Sequence, residues 1–274
     1  MQLVASIVSH NQAGLLAELL NDLDALTFEK PILFIVTENS ANPQSLVIAK
    51  SSKLYKNGLL QCVRNPRPLG FGANHNQAFG LVYGQGNRQA DNDGNNQVNN
   101  HAENQADVFF VLNPDLRIDK DIFSGLSDSL NRDPSIGIIA PEVLNPNGIK
   151  EDSARYFPSI ARILRKVFFK DLGLFQNDPS DPNDRSNMYF PDWIAGMCLG
   201  FTKQAYTDLK GFDERYFMYY EDADICRRAH TLGFRPAVNP AYRVVHAAQR
   251  TSHKRIGLLF HHLASMLRFL SNKS

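Results

Sequence analysis

The sequence predicts an α/β protein whose central sheet is mostly parallel and flanked by helices. Two observations carry this. Leu3–Val8, Ile32–Val36 and Val108–Leu112 are short, nearly continuous apolar runs, as strands buried on both faces must be. Between such runs lie segments with apolar residues at helical spacing, so strand and helix alternate.

The elements follow in order. After the first strand, Leu15, Leu16, Leu19, Leu20 and Leu23 give Ala13–Leu26 helical spacing. Pro31 introduces the second strand, Leu46–Tyr55 is expected to be helical, and Leu59–Val63 is the third strand. Gly70–Tyr83 opens with glycines and continues as a helix, and Val108–Leu112 ends at Asn113-Pro114. Asp121–Leu130 reads as a helix and Ile136–Ala140 as a strand. Gln85–Ala106 is rich in Asn, Gln, Gly and Asp and nearly free of large apolar residues, so it is expected to be a flexible insertion, residues 85–106.

The second half is less regular. Asp178–Asn187 reads as a loop, and Met188–Phe201 holds the single tryptophan, Trp193. Glu221–Leu232 is expected to be a helix closed by Gly233, followed by a strand-like Ala237–Val245 and a last helix over Lys254–Leu270. The domain division is residues 1–250 as one α/β domain and 251–274 as an amphipathic C-terminal helix.

Composition narrows the partners. Lys plus Arg number 29 and Asp plus Glu 28, so no global field favours nucleic acid and an anionic ligand needs a local site. Cys62, Cys198 and Cys226 are far apart and odd in number, which fits a reducing compartment better than a disulfide framework. The N-terminus lacks the pattern of a secretory signal, and no segment approaches the ~20 apolar residues of a membrane span. A soluble or peripheral cytoplasmic protein is expected.

Ligands of open α/β sheets collect beyond the carboxyl ends of the strands. That rule groups Ser9–Asn11, Glu38–Ser40 and Asn113–Asp115, each a polar triplet following an apolar strand. Asp115 could hold a hard divalent cation together with phosphate oxygens, although Asn-Pro-Asp is also a common turn. In Phe217–Asp224 (FMYYEDAD), Glu221 and Asp224 share a helix face while Asp222 points elsewhere. One of these carboxylates could serve as a general base, or Glu221 and Asp222 could merely complement the helix dipole. His246, at the end of AYRVV, is a second metal-ligand candidate.

The motifs IVSHN, TENS, GFGANHN, LNPD, W-I-A-G, GFDERYFMYYEDADICRR and VVH occur in this order from residue 4 to residue 246. With them the chain resembles family 2 glycosyltransferases of the GT-A fold, in particular bacterial rhamnosyltransferases of polysaccharide and O-antigen assembly. The resemblance implies a metal-dependent, inverting enzyme using Mg²⁺ or Mn²⁺. Its donor would be a nucleotide-sugar, often dTDP-L-rhamnose, and its acceptor a glycan or lipid-linked sugar diphosphate. By position it implies that Asp222 is the base, that Asp115 and His246 hold the metal, and that Asn113 lies against the nucleotide-sugar. Ser9, Asn11 and Glu38 match the nucleotide pocket, Gly70, Phe71 and Asn76 the loop closing over it, and Trp193 and Gly196 the lining of donor sugar and acceptor. The chain departs from the family where Glu38 replaces Asp, His10 an aromatic residue and Asn113 the first acid of a DxD motif.

Two other readings compete. A nucleotidyltransferase would need a basic glycine-rich phosphate loop, and residues 9–14 contain no Lys or Arg. A catalytically inactive nucleotide-sugar-binding or scaffold protein would have no need of Asp115, Asp222 and His246. In the last helix Ile256, Leu259, Phe260, Leu263, Leu267 and Leu270 form an apolar stripe beside Lys254, Arg255, His261, His262 and Arg268. That stripe either packs on the domain or makes a peripheral contact with the inner membrane.

Overall fold

Strand β1 (Gln2–Ser9) pairs in parallel with both β2 (Ile32–Glu38) and β4 (Ala106–Leu112), and β2 pairs in parallel with β3 (Leu60–Arg64). Alternate residues of these strands face opposite ways. Leu3, Ala5, Ile7, Phe34, Val36, Phe110 and Leu112 join one apolar cluster; Val4, Ile35, Phe109 and Val111 join another. Both faces are therefore buried, which is why the strands read as unbroken apolar runs. Each fully buried Leu or Phe side chain contributes about 1.5–3 kcal/mol.

Helices cover the two faces. The first cluster is closed by α1 (Ala13–Ala25), α2 (Gln44–Ser51), α3 (Lys53–Lys56) and α5 (Phe123–Arg132). The second is closed by α4 (Phe71–Tyr83), α6 (Lys203–Asp208), α7 (Glu221–Thr231) and α8 (Ile256–Ser271). The computed structural model describes residues 2–84, 106–159, 188–247 and 256–272. The expected insertion, apart from Ala106 in β4, and the expected loop Asp178–Asn187 lie outside the described residues.

The far half of the sheet is mixed. Among the described residues the order is β3-β2-β1-β4-β9-β6-β10-β5. Here β5 is Leu116–Arg117, β6 Ile136–Leu144, β9 Cys198–Thr202 and β10 Arg235–His246. Strand β9 runs antiparallel between β4 and β6, and β5 runs antiparallel to the end of β10. Strands β7 (Ala154–Arg155) and β8 (Trp193–Ile194) form a separate small ribbon. The expected parallel arrangement thus holds for the first four strands and for the β6–β10 pair.

The single helix expected over Leu46–Tyr55 is two helices. Ser52 is extended (φ −65°, ψ 156°) and its hydroxyl accepts from the Tyr55 N–H, capping α3. Asp24 of α1 accepts from the N–H groups of Lys53 and Leu54, both at 2.8 Å. These carboxylate contacts satisfy donors that a helix start leaves open.

The halves are joined where α4 meets the turn after α6. Asn76 Oδ1 accepts from Tyr206 Oη (2.8 Å) and the Phe212 N–H (2.9 Å), while its Nδ2 donates to the Phe212 carbonyl and to Glu214. Gly211 sits at φ +66°, and a Cβ there would lie 2.2 Å from Asn76 Oδ1. Asn76→Ala would strand a buried hydroxyl and a backbone donor, each costing about 1–3 kcal/mol. A fall in the urea midpoint corresponding to at least about 1 kcal/mol is expected; an unchanged midpoint would show that water replaces the amide without loss.

Candidate functional site

The site lies at the carboxyl ends of β1, β2 and β4. Ser9 and Glu38 are register partners at the ends of β1 and β2, and Asn113 follows β4 on the other side of β1. The three polar triplets singled out in the sequence are therefore neighbours, because their strands are. Asn11 occupies the left-handed region (φ 56°), which turns the chain sharply out of β1 into α1.

At this edge the carboxylate of Glu38 is buried. Its Oε1 accepts from Ser40 Oγ (2.8 Å) and its Oε2 from the Ser45 N–H (3.0 Å), so it caps α2; Ser9 Oγ bonds Ser45 Oγ at 2.8 Å. Glu38, expected in the nucleotide pocket, thus turns its carboxylate inward, and the pair Ser9–Glu38 fixes the start of α2 at this edge. Beside it lies a network absent from the sequence reading. Asn39 Oδ1 accepts from the Leu69 N–H (2.8 Å) and Asn65 Nδ2 (2.9 Å), and Asn65 Nδ2 also donates to Asn74 Oδ1 (2.6 Å). Asn74 Nδ2 in turn donates to the Gly70 carbonyl at 2.7 Å. His10 Nδ1 donates to the Asn39 carbonyl (2.6 Å). These amides hold the 65–70 loop over the strand ends; the asparagines of TENS and GFGANHN and the Asn65-Pro66 step were the available signals.

Gly70 and Phe71 dock α4 on the aromatic run. A Cβ on Gly70 would lie 2.8 Å from the Phe217 carbonyl oxygen, and that oxygen accepts from the Phe71 N–H at 2.9 Å. Only glycine permits this backbone approach. The Phe71 ring packs on His75 and Phe212 (centroids 4.6 and 5.8 Å). His75 is buried and bonds Ser6 Oγ at 2.9 Å; burial pushes its pKa down to about 3, so it is neutral. Asn76, expected with the closing loop, instead spends its amide on the 206–214 turn.

Asp115 and His246 meet because β5 pairs with the end of β10, with Leu116 opposite His246. Asp115 Oδ2 lies 3.3 Å from His246 Nε2, and Asp115 Oδ1 is buried with no hydrogen-bond partner. Glu151, unmarked in the sequence, bonds His246 Nδ1 at 2.8 Å. It is delivered by the Asn145–Gly148 turn, in which Asn145 Oδ1 accepts from the Asn147 and Ile149 N–H groups and Gly148 takes φ +75°. Burial alone would lower the His246 pKa, but Asp115 and Glu151 outweigh it and push it up to about 8. With Nδ1–H directed at Glu151, Nε2 is the nitrogen presented to Asp115. An orphaned carboxylate oxygen beside an imidazole nitrogen oriented by a second carboxylate suits a divalent cation. Among the described residues no group of three or more His, Cys, Asp or Glu is arranged to hold an ion alone, so such an ion would draw remaining ligands from phosphate and water.

The second centre is the start of α7. Tyr219 and Tyr220 both take left-handed backbone (φ 69° and 66°), a conformation costing about 1–3 kcal/mol per residue. This turn separates the next two carboxylates: Glu221 is buried, whereas Asp222 keeps partial exposure. Asp222 Oδ2 accepts from the Gly196 N–H (3.0 Å) and Oδ1 from its neighbour Ala223 N–H (2.8 Å). Burial raises the Asp222 pKa, opposed by those two N–H groups and by Arg155. Glu221 is raised well above the carboxylate range, first by burial and then by the Asp222 charge, and its Oε2 has no partner. Burial thus pushes both carboxyls toward the neutral form, Glu221 the further, and Asp222 has two N–H donors that oppose the shift. Asp224 is tied to Arg227 and Arg228 and serves the helix.

Trp193 is 7% exposed, and its indole N–H donates to the Tyr156 carbonyl at 3.0 Å. Its ring carries the Arg155 guanidinium at 4.9 Å. The surface offered there is therefore that of Arg155, and Trp193 is its support. Gly196 anchors Asp222 through its N–H and leaves room for Phe71, 3.4 Å from where a Cβ would stand.

No family model matches the chain. Among curated proteins it is 30% identical over 147 residues to the N-acetylglucosaminyl-diphospho-decaprenol L-rhamnosyltransferase of Mycobacterium tuberculosis, covering 51% of this chain and 47% of that one. It is 35% identical over 83 residues to the rhamnosyltransferase WbbL of Escherichia coli (30% and 31%). Over 119 residues it is 30% identical to the low-salt glycan biosynthesis hexosyltransferase Agl10 of Haloferax volcanii (43% and 35%). The chain spans about half the length, or less, of these relatives. Among solved structures it superposes on GalNAc-T7 with UDP, GalNAc and Mn²⁺ with a TM-score of 0.61 at 14% identity, covering 91% of this chain and 44% of that one. For the mannosyltransferase PcManGT of Pyrobaculum calidifontis with GDP-Man and Mn²⁺ the TM-score is 0.56 at 15% identity (97% and 64%). The fold is the GT-A fold, as the motifs implied.

The upward pKa shift of the buried Glu221 has a consequence for stability. Its folded pKa lies above the unfolded value, so its contribution is complete below the ordinary carboxylate range and is lost as pH rises through the raised value. Glu221→Gln should remove that loss: thermal denaturation from about pH 4 to about pH 9 should show the variant gaining on the parent as pH rises. A constant difference across the range would contradict the upward shift at Glu221.

Proposed function

We propose that the chain is an inverting glycosyltransferase that moves a sugar from a nucleotide-sugar to a hydroxyl of a glycan or lipid-linked sugar diphosphate in cell-surface polysaccharide synthesis. The observation that carries this reading is the partly buried carboxylate of Asp222, held by two backbone N–H groups beside a buried Glu221. The similarity to rhamnosyltransferases supports L-rhamnose as the sugar and dTDP-L-rhamnose as the donor. The free, mostly buried cysteines suit a reducing compartment, and we place the protein in the cytoplasm.

Asp222 accepts the proton of the acceptor hydroxyl, whose oxygen bonds to the anomeric carbon as the bond from that carbon to the diphosphate breaks. One displacement inverts the configuration. Arg155, near Asp222, stacked on Trp193 and paired through its Nε with Asp152, is the cation that an anionic substrate group would meet there. Asp115 and His246 would hold Mg²⁺ or Mn²⁺, with Glu151 orienting the imidazole; Mn²⁺ accompanies the related folds of GalNAc-T7 and PcManGT. Such an ion, when bound, neutralises the charge on a departing diphosphate.

A panel of UDP-, GDP- and dTDP-sugars assayed for nucleoside diphosphate release tests the donor; highest turnover with a donor other than dTDP-L-rhamnose would overturn that choice. Asp222→Asn should bind the same donor with unchanged affinity and lose ~10²–10⁴-fold in turnover, and near-parental turnover would refute the base. For the metal centre, Asp115→Ala should abolish Mn²⁺ binding measured by calorimetry, and Glu151→Gln should weaken it by about 10–100-fold. Activity unaffected by EDTA, or Mn²⁺ binding unchanged in both variants, would remove the metal from this site.

A further inference from the structure

Helix α8 has two unlike sides. On the inner side Phe269 (3% exposed) packs beneath the Arg227 guanidinium at 4.0 Å and against Tyr220 at 5.6 Å, and Ser265 Oγ donates to the Met218 carbonyl at 2.9 Å. On the outer side Phe260, Leu263 and Leu267 are 70%, 45% and 63% exposed, with exposed Ala264 between them. Their spacing sets them in one stripe directly opposite Ser265 and Phe269. Of the stripe expected from the sequence, Phe260, Leu263 and Leu267 thus face outward, whereas Leu270 packs on the second apolar cluster with Phe269; the side chains of Ile256 and Leu259 lie outside the described residues. Phe217, 41% exposed, stacks on His261 at 4.9 Å and extends the apolar surface to the run that leads into Asp222.

The sequence that forms and flanks this helix is basic. Beyond Asp224 the sequence contains no Asp or Glu; of the nine Lys and Arg there, Arg227 and Arg228 pair with Asp224, Arg235 with Asp133 and Arg243 with Glu142, which leaves Arg250, Lys254, Arg255, Arg268 and Lys273, all in or beside the helix in sequence. Arg268 borders the stripe, Arg250, Lys254 and Arg255 precede the helix in sequence, and Lys273 follows it. The chain as a whole carries only +1, so its acidic groups are concentrated elsewhere. A second copy seated on the same face would bring cation against cation. A surface with an apolar interior and anionic headgroups satisfies both features at once. Among the described residues no helix is long and apolar enough to cross a membrane, so the contact is one of lying on the surface.

We propose that the outer face of α8 rests on an anionic lipid bilayer, with Phe260, Leu263 and Leu267 at the boundary of headgroups and acyl chains. The Phe217–Tyr220 turn, stacked on His261 and His262, is thereby held next to the bilayer. This inference does not depend on the reaction assigned above.

Flotation of the full chain with vesicles of phosphatidylcholine, alone or with about one third phosphatidylglycerol, tests it. Binding to the anionic vesicles should exceed that to neutral ones by at least about tenfold and weaken with salt. Leu263→Glu/Leu267→Glu, and separately Phe260→Ser, should lose at least about tenfold of that binding with an unchanged melting temperature, since these side chains face outward. Failure of the parent chain to float with anionic vesicles would overturn the proposal, as would equal binding to neutral vesicles or equal binding by the folded variants. A parent dimer in light scattering that the variants lose, without vesicle binding, would assign the face to a second copy instead.

Discussion

The site depends on a backbone-to-backbone contact between the start of α4 and the aromatic run before α7. Gly70 lets the Phe217 carbonyl approach to a distance no side chain would allow, and the Phe71 N–H fixes it there. Asn76 clamps the other end of the same surface to the 206–214 turn. With both ends held, the short connection between them cannot relax, and Tyr219 and Tyr220 remain in left-handed backbone. That strained turn is what sends Glu221 inward and leaves Asp222 partly exposed. Strain of this kind persists only where the surroundings over-determine it, and here the determinants can be named.

Adjacent carboxylates in one helical turn would ordinarily titrate alike. Their separation comes from what each can reach. At Asp222 burial raises the pKa but is opposed by the N–H groups of Gly196 and Ala223 and by the nearby Arg155 cation, so its upward shift is the smaller. Glu221 has burial and the neighbouring negative charge, which favour its neutral form. A similar economy holds at His246, where two flanking carboxylates outweigh burial, and at His75, where no charge opposes burial and the ring is neutral.

Much of this was legible in the sequence, and the exceptions share a cause. Strands β1, β2 and β4 and helix α7 announce themselves because burial on both faces, or a run of acids before an apolar face, leaves a periodic trace. Strand β9 left none: five residues after a Trp-Ile-Ala-Gly turn, it is defined by antiparallel pairing to β4 and β6 rather than by its own pattern. Residue types located the Asp115–His246 pair, but Glu151 reaches His246 only through a hairpin closed by Asn145 and Gly148. Glu38 was correctly placed at a strand end, yet its direction was set by the Ser40 hydroxyl and the Ser45 N–H, donors that a strand-end rule does not weigh. Position along the chain follows from local sequence; the aim of a side chain follows from which donors the fold brings to it.

The two centres are also joined through the backbone. The Gly196 N–H holds Asp222, and the Met197 carbonyl, one residue on, accepts from the Asn113 N–H at 2.9 Å. Asn113 is two residues from Asp115, which stands beside His246. The carboxylate proposed to take the acceptor proton and the carboxylate proposed to face the leaving diphosphate are thus spaced by a few peptide groups rather than by flexible side chains. Met197 also leads directly into β9, whose antiparallel pairing to β4 locks Cys198 opposite Leu112. The irregular strand that the sequence hid is therefore the ruler between the two chemical groups. A single displacement needs its base and its leaving-group site on opposite sides of one carbon, and peptide planarity together with a sheet register keeps such a separation with less variation than any pair of rotamers could.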